Sequence, residues 1–111
     1  YSTLATLGST TTVYTTQDEV TGTSYVAGGN TLTISQVPTS TSTETTAWLN
    51  FDNSSWTTAS FSADGALIYN STQGNKAVAV LSFGGDKTAT SGVFTIQFPA
   101  ATTSAAILTI A

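Results

Sequence analysis

Apolar residues in this chain recur at every second position in short runs, each cut off by glycine, proline, asparagine or a cluster of hydroxyl residues. Nowhere do they repeat convincingly at i, i+3, i+4 and i+7, so the pattern predicts strands with one face in and one face out, and essentially no helix. The clearest strand covers residues 93–98 (VFTIQF), with Phe94, Ile96 and Phe98 on one face and Val93, Thr95 and Gln97 on the other; Pro99 ends it. Residues 77–83 (AVAVLSF) set Ala77, Ala79, Leu81 and Phe83 against Val78 and Val80. With both faces apolar this reads as a central strand. The intervening GGDKTATSG (84–92) reads as an exposed hairpin loop, its glycines permitting positive φ.

A third strand is expected at 66–69 (ALIY), joined to 77–83 through the turn residues of NSTQGNK (70–76), with Asn70, Gly74 and Asn75 making the bend. The result is a three-strand meander. Upstream, 46–51 (TAWLNF), 58–63 (TASFSA) and 31–37 (TLTISQV) alternate in the same way, and 39–45 (TSTSTET) is too polar to pack. Weaker strands are placed at 11–16 and 25–27, and a terminal one at 105–111 (AAILTIA). Seven or eight short strands at near-regular spacing predict an all-β antiparallel sandwich, jelly-roll or immunoglobulin-like, forming a single domain over residues 1–111.

Composition explains how such a chain stays in solution. Only 7% of the residues are charged, against about 25% in ordinary proteins, while 25 threonines and 14 serines make up roughly a third of the chain. Threonine favours half-buried strand positions, so a threonine-coated β-protein follows. Lys76 and Lys87 are the only cations in a chain of net charge −4, which argues against nucleic acid as a partner. No run approaches the ~20 apolar residues of a membrane-spanning helix, and no membrane association is expected. Cysteine and methionine are both absent; the chain is read as starting after processing, or without part of its encoded N-terminus.

The absence of histidine and cysteine from the sequence removes Ser-His-Asp and Cys-His catalysis. The remaining acids are Asp18, Glu19, Glu44, Asp52, Asp64 and Asp86. Asp18 and Glu19 are adjacent, and neighbours on an extended strand point to opposite faces, a poor start for a carboxylate-pair glycosidase. Asp52-Asn53-Ser54-Ser55 clusters oxygens without the spacing or terminal Glu of an EF-hand loop, so a turn held by Asx hydrogen bonds is expected there. The N-glycosylation patterns at Asn53 and Asn70 are about as frequent as chance allows in a chain this rich in Ser and Thr. No catalytic, cofactor or metal residues are named, and the chain is read as non-enzymatic. Trp48, Trp56 and Tyr25, with Gln73 and Lys76 at the 73–76 tip, are the candidate subunit or partner contacts, because aromatics are favoured at interfaces. Phe51, Phe61, Phe83, Phe94 and Phe98 are assigned to the core.

The segments EVTGTSYVAGG (19–29), ALIYNSTQGNKAVAVLSFGGDKTATSGVFTIQFPAA (66–101) and AILTIA (106–111) resemble a group of small virion proteins of tailed bacteriophages. The similarity spans nearly the whole chain and is most specific over 66–98. Members usually carry an extra strand ahead of the region matching 1–7, and often an arginine where this chain has Asp64. The resemblance implies a non-enzymatic capsid decoration (cement) protein on the outer face of the head, with the major capsid protein and copies of itself, as a homotrimer, for partners. Two other readings stand beside it: a tail-associated or fibre module for host recognition, and a secreted adhesin or filament subunit.

Overall fold

The computed structural model of the chain describes residues 1–37, 46–100 and 107–110. These residues form five strands and one short 3-10 turn, with no α-helix among them: β1 (Ile34–Gln36), β2 (Ala47–Phe51), β3 (Ser54–Asn70), β4 (Lys76–Ile96) and β5 (Leu108–Ile110). The all-β expectation holds. The seven or eight short strands of a sandwich do not: the described strands make a two-stranded sheet, β3-β4, and a three-stranded sheet in the order β1-β2-β5.

The difference lies mostly in β3 and β4. Residues 58–63 and 66–69, read as separate strands, are parts of one strand of 17 residues; 77–83 and most of 93–98 are parts of one of 21. GGDKTATSG is therefore no hairpin loop. It lies inside β4, and the expected meander is one long hairpin. Five residues connect β3 to β4, which only an antiparallel pairing allows. At the bend Asn70 accepts hydrogen bonds from the Thr72 amide (3.1 Å) and hydroxyl (2.7 Å), Ser71–Gln73 form the 3-10 turn, and Gly74 (φ 66°) and Asn75 (φ 58°) take left-handed conformations. The bend is the one read from NSTQGNK.

Local backbone geometry explains how the strands outrun their alternation. In β3 the inward positions are Ser54 and Trp56, then Ala59, Phe61 and Ala63; the phase flips across Thr58, which has φ 53°. In β4 buried Ala89 is followed by buried Phe94, a second flip, across Ser91 at φ 48°. Left-handed residues inserted into an antiparallel pair act as bulges, adding a residue to one strand and bending it without ending it. Gly84 (φ 73°) and Gly85 (φ 136°) add to the surplus length of β4 over β3. Cross-strand hydroxyl contacts keep the pair closed through this region, Ser62 with Thr88 and the Ser91 amide with Ser60 Oγ (2.9 Å).

The chain divides into two compact units, Tyr1–Gly29 with Trp56–Phe94, and Asn30–Ser55 with Thr95–Ala111. In the first, Phe61, Phe94, Trp56, Tyr25 and Phe83 form one aromatic cluster, with ring centroids 4.7 Å apart for Phe61–Phe94 and 6.2 Å for Phe83–Phe94. The amino-terminal segment, expected to supply strands at 11–16 and 25–27, supplies only two isolated bridges, Val13 to Lys76 on β4 and Thr23 to Ser60 on β3. Residues 25–27 lie at a turn closed by the Gly29 amide on the Val26 carbonyl (2.9 Å).

In the second unit β2 is the central strand, paired antiparallel with β1 and β5. Asn50 on β2 is 2% exposed and fully hydrogen-bonded: its amide donates to the Pro99 carbonyl (2.7 Å) and its oxygen accepts from the Ile107 amide (3.2 Å). Phe51 packs on Phe98 with centroids 5.6 Å apart. Of the five phenylalanines assigned to the core, Phe51, Phe61, Phe94 and Phe98 are buried and Phe83 is half-buried. The 39–45 loop lies outside the described residues, as do residues 105, 106 and 111 of the terminal segment.

Candidate interaction surface

Two features of the first unit stand out: an internal polar clamp centred on Glu19, and an apolar strip left open on β4.

Glu19 accepts three hydrogen bonds. Its Oε1 takes the Tyr25 hydroxyl (2.6 Å) and the Gly28 amide (2.8 Å), and its Oε2 takes the Tyr14 hydroxyl (2.7 Å). Tyr69 from β3 closes the group by donating to the Gly28 carbonyl (2.9 Å) and stacking on Tyr14, with centroids 4.6 Å apart and planes 16° from parallel. A half-buried carboxylate that takes three donors from separate parts of the segment is a structural anchor, since charge-assisted bonds are worth about twice neutral ones. Burial, and next the bond to Glu19, push the Tyr14 hydroxyl up to about 12 and raise that of Tyr25 further. Glu19 is thus no solvated loop acid. No sequence pattern announces its role, because the donors come from positions 14, 25 and 28.

The strip follows from register. The Tyr14 amide donates to the Asn75 carbonyl and the Ala77 amide to the Thr12 carbonyl, both at 2.9 Å, which makes Val13 and Lys76 a non-hydrogen-bonded antiparallel pair. Such partners lie on one face with their side chains at closest approach. Val78 and Val80 follow Lys76 at period two, so Val13, Lys76, Val78 and Val80 share that face. They are open to solvent: Val13 is 46% exposed, Val78 47% and Val80 37%. Residues 77–83 are therefore not a central strand covered on both sides. Ala77, Ala79, Leu81 and Phe83 are half-buried on one face, and the valines stand out on the other.

The contact residues named from sequence divide accordingly. Gln73 and Lys76 are exposed at the hairpin tip, and Lys76 is part of the strip. Tyr25 and Trp56 are half-buried and face one another inside the aromatic cluster, with centroids 5.8 Å apart. Trp48 is half-buried on β2, in the second unit. Sequence reading missed Val13, whose place beside Lys76 depends on a pairing between distant segments.

The Asp52–Ser55 segment lines an open polar cleft of about 250 Å³ with Asn30, Thr31, Leu32 and Thr33. Its polar groups bond to one another and to the backbone: the Asn30 amide donates to Ser54 Oγ (3.1 Å) and the Ser55 carbonyl (3.0 Å), and Asn53 Oδ1 accepts from the Phe98 amide (2.9 Å). No group of three or more His, Cys, Asp or Glu side chains suited to a metal occurs among the described residues, and no helix among them is long and apolar enough to cross a membrane. Comparison of the chain with protein-family models, curated proteins and solved structures gives no match.

Proposed function

We propose that this chain is a non-enzymatic structural protein of a tailed-phage virion, a decoration protein that binds the outer face of the head and bridges capsomers as a homotrimer. The observation that carries the reading is the open face of Val13, Lys76, Val78 and Val80 on a braced hairpin. A solvent-facing row of β-branched residues on a hydrogen-bonded strand pair suits a surface that a partner covers, since contiguous exposed apolar patches mark interaction sites. The low charge of the chain supports it, because few ions need to be desolvated on docking. The resemblance of 19–29, 66–101 and 106–111 to phage virion proteins supplies the particle, and the trimer rests on analogy with decoration proteins.

Mixing purified protein with undecorated heads tests this. Binding at a fixed stoichiometry and a raised head-disruption temperature are expected; a chain that leaves the heads unbound refutes it. Labelling confined to the tail would favour a fibre or host-recognition module, and a secretion signal on the full reading frame would favour an adhesin.

A further inference from the structure

We infer that the head surface met by the Val13–Lys76–Val78–Val80 strip is apolar and carries a carboxylate placed to pair with Lys76; this rests on the decoration reading above. Lys76 is one of two cations in a chain of net charge −4. It stands within the apolar row, directly opposite Val13, and at the exposed end of β4. Among the described residues no acid forms an ion pair or hydrogen bond with its ammonium group, which is exposed beside the valines.

Charge complementarity chooses the occupant. A second copy docked strip to strip would hold two Lys76 ammonium groups at one apolar patch, with no acid in the Val13–Lys76–Val78–Val80 row to offset them. A basic partner would be attracted by the chain as a whole but repelled at the strip. An apolar protein surface bearing an acidic group satisfies both the valines and the ammonium, and Lys76 then fixes orientation more than it adds affinity. Its alkyl stem extends the apolar row while the charged head reaches the rim.

The test titrates heads of the phage encoding this chain, assembled without it, with the wild-type protein and with Lys76→Met, Lys76→Glu, Lys87→Glu and Val80→Thr, each checked for folding by thermal unfolding. Lys87→Glu makes the same change in net charge elsewhere on β4, away from the strip. Lys76→Met should weaken binding several-fold and Lys76→Glu by about tenfold or more, Val80→Thr several-fold, and Lys87→Glu by less than about twofold. The wild-type affinity should fall with added salt, and that of Lys76→Met should fall less.

If Lys76→Met binds as tightly as wild type, or if Lys76→Glu and Lys87→Glu weaken binding equally, the inference is overturned while the decoration reading stands. A wild-type chain that binds no heads overturns both. Binding through Lys76 to vesicles containing phosphatidylserine, in place of heads, also overturns it.

Discussion

Replacing Glu19 by alanine removes the acceptor for the Tyr14 hydroxyl, the Tyr25 hydroxyl and the Gly28 amide in one step. A hydrogen bond to a charged group contributes about 1.5–3 kcal/mol when buried. Glu19 is half-buried and the tyrosine hydroxyls can turn to water, so about 1 kcal/mol for each is the appropriate scale, or about 3 kcal/mol in all. Glu19→Gln keeps the shape: its oxygen can still accept from Tyr25 and Gly28, and its amide can donate to the Tyr14 oxygen, so a loss of about 1 kcal/mol is expected. For a domain of this size 1 kcal/mol moves Tm by roughly 4–8 °C, which places Glu19→Ala about 12–24 °C below wild type. Guanidinium and thermal unfolding measure both variants. Amide exchange at Gly28 adds a local readout, because its N–H should exchange faster in Glu19→Ala even under conditions where the rest of the chain remains folded. A Glu19→Ala protein within about 0.5 kcal/mol of wild type, with Gly28 still protected, would refute the clamp.

The tyrosines of the clamp set the alkaline limit. The Tyr14 and Tyr25 hydroxyls are raised above the ordinary 10, Tyr14 to about 12, so the folded state holds protons that the unfolded chain releases. The stability these two tyrosines contribute should be full below pH 10 and be lost progressively between pH 10 and 12, and the decline should be shallower in Tyr14→Phe, as followed by denaturation at stepped pH. Asn50→Ala removes a buried side chain that serves the Pro99 carbonyl and the Ile107 amide through part-buried bonds, and should cost about 1–3 kcal/mol in chemical denaturation. Gly22→Ala would drive a Cβ into the Ser60 carbonyl oxygen and within 2.8 Å of Phe61 Cβ, so the Thr23–Ser60 bridge must give way; a loss of about 2 kcal/mol or more is expected, and an unchanged midpoint would contradict that approach. Thr58→Gly relieves a β-branched residue held at φ 53° and should stabilise by about 0.5–1 kcal/mol, against the usual cost of glycine in a strand.

The residues that make strands were legible in the sequence, and so was the bend between them. Asn70, Gly74 and Asn75 carry turn chemistry that acts locally, and the structure uses each of them. What could not be read was continuity. A Gly-Gly pair followed by polar residues signals a loop, yet Gly84 and Gly85 serve as left-handed insertions within β4, and the pairing of 86–92 with β3 stabilises polar strand residues that have no apolar pattern of their own. Thr58 and Ser91 hide the phase flips because neither residue type advertises positive φ. The open valine face was misjudged for a related reason. Alternating Ala and Val looks covered on both sides, and whether another layer packs over the valine face is decided by tertiary packing that the local pattern does not contain. The contacts of Val13 with Lys76 and of Glu19 with Tyr14, Tyr25 and Gly28 are products of folding that no local window contains.

The proposed role puts the chain on the head surface, docked through the exposed strip of β4. Imaging of assembled particles, with and without a label fused to this chain, decides where it sits. Ordered density is expected on the outer face of the head at a fixed number of copies per capsomer, lost when the chain is omitted. Label found only on the tail, or particles that contain none of this chain, would contradict it.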